Sequence, residues 1–591
     1  MDEILMAPSP LNRDPVPINS LISLLISVYL TANMSWKIIE KYRRIIAAEK
    51  GAVRKDWGGK LTVCLVYPNS YRTAMSNLGF QVVYGLLNSR KDTVCERAFL
   101  PDPEDLREYM KTGTPLLSLE SRRPINEFAV IAFSVSFESD YLNIPQLFRL
   151  AGIPPFAAER DDSRPLVMAG GAALFINPEP VAEFMDLVCV GEAEVILPRL
   201  LPLLQESGLE RNDLLERASL LPGLYVPALY EVGYSGEGVE SIRGTRGAPP
   251  PVRRGWAKEL DPCPASTVIY TPNTEFSDMC LIELSRGCPR GCRFCAAGFI
   301  YRPYRQRSLD ALKKEVDIGL AEHRRLGLVA AAVSDFRDIG ELSRYITDRG
   351  GEVSVSSLRL DSLDEDLIAL LKASGHKTVA LAPDGGSQRL RDLIGKGLTG
   401  EQILTTCERL IKSGILNLKL YFMIGLPTEV MADLDEMVTL IKDIRERVGD
   451  AAREKGRIGE VILSVNPFIP KPFTPFQWCA MEEAKSLNGK IGYLRKATGP
   501  LSNVRMMVEN PKDAYLQALL SRGDRRLARF LVEAGDSGNW RKAAKGMGID
   551  TDRLVYREIP LDETLPWEII ESHNRDLLMR EYRKAFAAGS P

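Results

Sequence analysis

The chain has 591 residues, 45% hydrophobic and 26% charged, with 76 Lys and Arg against 78 Asp and Glu for a formal charge of −2. These proportions exclude disordered and fibrous classes, and the length has room for about three to five domains. Near-neutral charge gives no support to a polybasic nucleic-acid or membrane-surface binder, ten cysteines are too few for a disulfide scaffold, and three histidines limit imidazole-based metal chemistry.

In chain order, residues 1–57 read as an extension ahead of the fold. The stretch 18–34 is apolar but interrupted by Asn19, Ser20, Ser23, Ser27, Thr31 and Asn33. It is shorter and more polar than the ~20 residues that cross a bilayer. No basic n-region or small-residue cleavage site frames it as a signal peptide, so a cytoplasmic protein is expected, with Met34 as an alternative start. From 58 to 220, apolar runs at 61–67, 128–135, 165–169 and 187–190 read as buried parallel strands. Helical patterns at 77–87, 141–150 and 194–204 lie between and after them. That alternation predicts a doubly wound, Rossmann-like α/β domain. Residues 221–276, rich in Gly, Pro and Arg, read as a connector with a β-prone piece at 224–232.

A second alternation spans 277–499. Strands are expected at 279–284, 328–333, 352–356, 377–381, 416–424 and 460–465. Leu309, Leu312, Val316 and Leu320 share one helix face. Ser362 with Glu365 and Thr399 with Gln402 read as capping boxes, on helices that stop at Gly375 and Gly414. Leu434, Met437, Val438, Ile441 and Ile444 form a further stripe. Six strands with five intervening helices suit a partial (β/α)6 barrel, with functional groups at the C-terminal strand ends. Residues 500–591 read as a polar, helical C-terminal region.

Three of the ten cysteines stand together as Cys288-Pro-Arg-Gly-Cys292-Arg-Phe-Cys295, just after the first strand of this second region. Three thiolates leave a tetrahedral zinc site one ligand short, and no histidine is near in sequence; Cys280 sits inside a strand pattern. A [4Fe–4S] cluster on three cysteines leaves one iron open, which is a catalytic arrangement. A catalytic cluster is the favoured reading, with a zinc site and inert thiols as the others.

The residues point further. Cys288-x3-Cys292-x-Phe294-Cys295, within 283–308, resembles the cluster motif of the radical S-adenosylmethionine (SAM) enzymes. With the segments 381–391, 419–429 and 467–478, the chain from about residue 58 resembles the branch of that family with an N-terminal cobalamin-binding-like domain. The resemblance implies that Cys288, Cys292 and Cys295 hold three irons and that SAM chelates the fourth. Reductive cleavage would then give a 5′-deoxyadenosyl radical that abstracts hydrogen from a substrate the sequence does not identify. It implies a contact of Phe294 with adenine. Asp384, where relatives usually have Glu, would contact the SAM ribose or methionine part, and Met423, Gly425 and Glu429 match the adenine-binding pattern. Ser334 and Asp335 occupy the place of the family's Gly-Gly-Glu, which is absent. An electron donor such as flavodoxin or ferredoxin is implied as partner.

In the first domain, Gly170 and Gly171, and Gly191 and Glu192, resemble loops of cobalamin-binding domains. Glycines there let a large ligand approach the backbone or simply make tight turns. The family's Asp-x-His-x-x-Gly corresponds to Ala74-Met-Ser76-Asn-Leu-Gly79, and His323, His376 and His573 all lie outside 58–230. Cobalamin would therefore bind without a ligand histidine from its own domain, or the fold is kept as a scaffold without it. A cobalamin-dependent methyltransferase and, from another class, a non-catalytic iron–sulfur or zinc scaffold are the rival readings. Cys64, Cys95 and Cys189 are expected to pack as small hydrophobes. Arg302, Arg305 and Arg307 either bind an anionic substrate or form ion pairs. His323 and the segment 522–526 read as solvated or ion-paired helix surface.

Overall fold

The computed structural model describes residues 34–588 except 237, 277–278, 356–357, 454–455, 457–458 and 572–574. Residues 1–33, which hold most of the apolar stretch, lie outside the described residues. The first described helix, α1 (Trp36–Ala47), buries Ile38, Tyr42 and Ile46. The Tyr42 hydroxyl meets that of Tyr109 at 3.1 Å. Just beyond it, Glu49 pairs with Arg97 at 2.6 Å, both fully buried, and Glu120 closes on the same guanidinium. The segment expected to precede the fold is thus packed into it from residue 36.

The N-terminal sheet contains β1 (Leu61–Tyr67), β2 (Thr93–Phe99), β3 (Val130–Ser134), β4 (Leu166–Gly170), β5 (Leu187–Cys189) and β6 (Leu224–Tyr225), in the order β2-β1-β3-β4-β5-β6. The first five run parallel and β6 antiparallel. The sequence reading overlooked β2 because Glu96 and Arg97 interrupt its apolar run. Both charges are buried and satisfied, Glu96 by Trp57, Ser118 and Ser121 and Arg97 by Glu49 and Glu120. The order reverses between β1 and β3, where such sheets open a crevice at their carboxyl ends.

The second region arranges seven parallel strands in two sheets. β7 (Met279–Glu283), β8 (Arg325–Val329) and β9 (Glu352–Val355) form one, in the order β9-β8-β7. β10 (Thr378–Asp384), β11 (Asn417–Ile424), β12 (Val461–Pro467) and β13 (Val504–Val508) form the other. A parallel bridge between Leu358 and Leu381 joins them. Two expectations shift. The second strand lies at Arg325–Val329 and not 328–333, leaving Ser334 in the turn after it. β13 continues the sheet into the region expected to be helical, because it pairs along β12 from Val461↔Val504 to Val465↔Val508. The Thr399–Gln402 capping box forms, and its helix ends at Gly414 in the left-handed region. The Ser362 box does not: Asp364 caps that helix by accepting from the Leu367 N–H, and the Ser362 hydroxyl turns to Ser334. Beyond β13 the chain is helical, ending in Arg575–Ala588. No described helix is long and apolar enough to cross a membrane.

Candidate active site at the carboxyl ends of two sheets

After β7 the chain makes an excursion pinned at its base, where Ser285 and Arg286 pair antiparallel with Gln306 and Arg305. Cys288, Cys292 and Cys295 lie on it, Cys292 buried and the others half-buried. Gly287 opens the loop at φ +87°, and a Cβ there would stand 2.8 Å from the Tyr301 carbonyl oxygen. Burial pushes the Cys288 thiol up and that of Cys295 to about 11, while backbone N–H groups of Arg290 and Ala297 donate to the two sulfurs and favour the thiolates. The three sulfurs act on one another electrostatically. Among the described residues, no three His, Cys, Asp or Glu side chains stand close enough to hold a single metal ion. A four-iron cubane is wider than one ion and takes thiolates supplied with N–H donors, so this donor set fits a cluster chemically.

Arginines hold the loop. Arg293, buried between two of the cysteines, donates to the Asp392 and Leu393 carbonyls at 3.1 and 2.7 Å and pairs with Glu581 of the last helix. Arg290 grips both oxygens of Asp335, at 2.7 and 3.1 Å. Ser334 accepts from the Arg359 N–H and the Ser362 hydroxyl. Asp384 ends β10 at φ +62°, in the left-handed region, and its buried carboxylate takes the Lys396 ammonium at 2.5 Å. Burial drives its carboxyl upward against the opposing pull of Lys396. Arg359 lies within electrostatic reach of the Cys288 thiol and Asp384 within that of Cys295. Phe294 and Met423 meet in one apolar group with Leu390, Ile394, Leu426 and Phe476. Gly425, at φ +73°, donates its N–H to Glu429 at 2.8 Å, and Lys490 holds the same carboxylate at 2.7 Å. The structure therefore gathers Phe294, Met423 and Asp384 around the cysteine loop, while Glu429 shapes the Gly425 turn. Sequence reasoning overlooked Arg290, Arg293, Arg359 and Lys396. The first two stand inside the cysteine motif and were legible as cations in a short loop; the others come from separate strand ends.

A cavity of about 710 Å³ lies between the carboxyl ends of the N-terminal sheet and the inner face of β7, β8 and β9. Ser76, Gly79, Gly170, Gly171, Gly191 and Glu192 all line it, and no histidine does among the described residues. It continues as an apolar slot between Val63, Leu65, Val130 and Ala132 of the sheet and Val82, Leu87, Leu197 and Leu201 of two helices. Some of these residues have packing duties of their own. A Cβ on Gly171 would stand 2.2 Å from the Val135 carbonyl oxygen, and one on Gly191 2.1 Å from that of Gly255. Ser76 is bound at both ends, donating to the Arg72 carbonyl and accepting from the Glu275 N–H. Glu192 accepts from Arg305 at 2.7 and 3.0 Å, from Arg286 at 3.0 Å and from the Ala257 N–H. Burial raises its carboxyl, but the two guanidinium groups outweigh burial and hold it below the usual range. Arg286 also binds Glu194 and Glu283, and Arg307 binds Glu283, so three arginines and three glutamates tie the first sheet to the cysteine loop.

The lesser expectations divide. Arg305 and Arg307 form buried ion pairs, and Arg302 donates to the Gly298 carbonyl. Cys64, Cys95 and Cys189 are buried and free, Cys189 also lining the cavity. His323 is half-buried, its ring 4.6 Å from that of Tyr270. Arg522 is not on a wet helix end: it is buried on the carbonyls of Cys479, Val555 and Arg557, and burial lowers it to about 10.

The model described as radical SAM proteins, N-terminal, matches residues 79–227, and that of the radical SAM superfamily matches 282–441. The uncharacterised protein MJ0966 of Methanocaldococcus jannaschii is 30% identical over 476 residues, covering 79% of this chain and 90% of its own. The chain belongs to the radical SAM superfamily. Among solved structures, it is similar to the radical SAM methyltransferase TsrM of Kitasatospora setae at 15% identity and TM-score 0.47, covering 89% of this chain and 100% of that one. It is also similar to the cobalamin-dependent radical SAM enzyme OxsB at 17% identity and TM-score 0.44, covering 67% of this chain and 56% of that one. As a radical SAM enzyme the protein uses a [4Fe–4S] cluster and SAM, and it requires a substrate and a reductant.

Proposed function

We propose that Cys288, Cys292 and Cys295 ligate three irons of the cluster and that SAM chelates the fourth, for hydrogen abstraction from an organic substrate. The observation that carries this reading is the pinned loop of three thiols, two of them supplied with backbone N–H donors, surrounded by the carboxyl ends of β7, β8, β9 and β10. Held there, the cluster would supply the electron, taken from an external reductant, for reductive cleavage of the SAM sulfonium to methionine and a 5′-deoxyadenosyl radical. The chain's own residues bind and orient. Phe294 and Met423 offer apolar contact to adenine, and Asp384, steadied by Lys396, faces the ribose or methionine part. Asp335 keeps the lone pairs that Arg290 leaves free for the SAM amino group. Glu429 fixes the Gly425 turn.

The cavity favours a second cofactor. Its polar rim and apolar slot suit cobalamin, a large ring carrying an apolar nucleotide base, held by the strand-end loops at Ser76, Gly79, Gly170, Gly171, Gly191 and Glu192 without an imidazole. Methyl transfer would then be the outcome. Anaerobic reconstitution with iron and sulfide, then reduction with SAM, tests the first reading. Charge-transfer absorption near that of iron–sulfur proteins and formation of 5′-deoxyadenosine are expected; absence of either refutes it. Loading the same preparation with hydroxocobalamin tests the second: protein that emerges colourless at cobalamin wavelengths leaves plain hydrogen abstraction.

A further inference from the structure

We infer that the inner face of β11 and β12 binds an anionic group of the substrate, a carboxylate or a phosphate, through Lys419, with Tyr421 and Ser464 as hydrogen-bonding neighbours. The inference rests on the radical SAM reading for the presence of a substrate and names that substrate's chemistry.

Both strands alternate strictly. Leu418, Leu420, Phe422 and Ile424 of β11 and Val461, Leu463 and Val465 of β12 are wholly buried. Lys419, Tyr421, Met423, Ile462, Ser464 and Asn466 are half-buried on the other face. The parallel register sets Lys419 beside Ile462, Tyr421 beside Ser464 and Met423 beside Asn466. On the opposite flank Lys419 is beside Ala380, a residue too small to fill the space next to it.

The polar groups of this face have no partners among the described residues. Neither the Tyr421 and Ser464 hydroxyls nor the Asn466 amide makes a hydrogen bond there, yet none is sealed from a ligand. The Lys419 ammonium rests over the Tyr421 ring at 4.9 Å and meets no carboxylate. Lys396, Lys471 and Lys490 each have a carboxylate, of Asp384, Glu138 and Glu429, and half-buried Lys55 has three backbone carbonyls. A half-buried ammonium without a counter-charge loses hydration uncompensated. A cation with two hydrogen-bonding neutral neighbours one strand repeat above it suits oxyanion recognition. Lys419 stands four residues below Met423, about 13 Å along the strand. The anion would therefore be held below the adenine contact, leaving the substrate's carbon skeleton to reach upward toward the cysteine loop.

The test uses reconstituted full-length holoenzyme and three probes of matched chain length: octanoate, octyl phosphate and octanol, titrated calorimetrically. At least one anion should bind about tenfold or more tightly than octanol. Lys419→Met should abolish that preference and Lys419→Arg keep it to within about threefold. The two anions separate carboxylate from phosphate. Octanol binding as well as both anions, no binding of either anion, or an undiminished preference in Lys419→Met overturns the inference; the wild-type comparison decides even if a variant misfolds. Deoxyadenosine formation by the wild type without probe is read in the same preparation. A wild type that forms none defeats the radical SAM reading, whereas one that forms it and ignores the anions defeats only the anion site.

Discussion

Glu192 was expected to touch cobalamin, and the structure also makes it a joint between the first sheet and the cysteine loop. Replacing it with Gln separates these duties. Its carboxylate accepts four donors, two from Arg305, one from Arg286 and one from the Ala257 N–H, and it is 5% exposed. An amide keeps one acceptor but aims an N–H₂ at guanidinium donors, leaving a buried positive charge uncompensated. Breaking a buried pair this way costs about 3–5 kcal/mol. The Gly255–Ala257 backbone should feel it directly, because Glu192 accepts at its side chain from Ala257 and donates its own N–H to the Gly255 carbonyl at 2.8 Å. Native-state hydrogen exchange at Ala257 should accelerate roughly a hundred- to several-thousand-fold. Glu192→Gln combined with Arg305→Met removes both charges and should recover at least about half of the loss. Less than about tenfold acceleration in the single variant, or a double variant as labile as the single, would refute the account of this network.

Other outcomes follow from named residues. Asp140 is buried, with one oxygen on Asn69 and the other without a partner; burial raises its carboxyl to about 6. The folded state therefore holds the proton more tightly, and stability should fall by about 2–3 kcal/mol as pH rises from 4 through 6. Asp140→Asn should flatten that part of the melting-temperature profile, and an unchanged profile would count against it. Gly191→Ala should destabilise by more than about 2 kcal/mol, given φ +139° and the contact with Gly255. Gly79→Ala, whose Cβ would meet only the Asn77 side chain at 3.3 Å, should keep its melting temperature while weakening cobalamin retention. Arg293→Met should speed cluster loss to an iron chelator by about tenfold or more, followed by bleaching of the cluster absorption; wild-type bleaching rates would show the guanidinium to be dispensable.

The cysteine loop was legible because its chemistry is local: three thiols within eight residues, an aromatic before the last, and a strand ahead of them. The parallel strands were legible for a related reason, since burial on both faces writes itself as apolar runs such as 61–67. Caps were readable only where both partners are local. Thr399 with Gln402 formed its box, but Ser362 lost to Asp364 because Ser334, distant in sequence, offered its hydroxyl another partner.

By itself, then, the sequence determined the α/β alternation, the three thiols and the lack of an imidazole in the first domain, all properties of short segments and composition. Tertiary structure decided what depends on groups far apart in the chain. It placed Glu96 and Arg97 inside a buried strand because their counter-charges arrive from residues 49 and 120. It turned Arg305 and Arg307 into ion pairs because Glu192 and Glu283 meet them across the two sheets. It left Lys419 without a carboxylate partner among the described residues, because Ala380 and Ile462 are what the register sets beside it. A charge written in the sequence has a sign but no partner; folding assigns the partner, and with it the difference between a structural ion pair and a site open to a ligand.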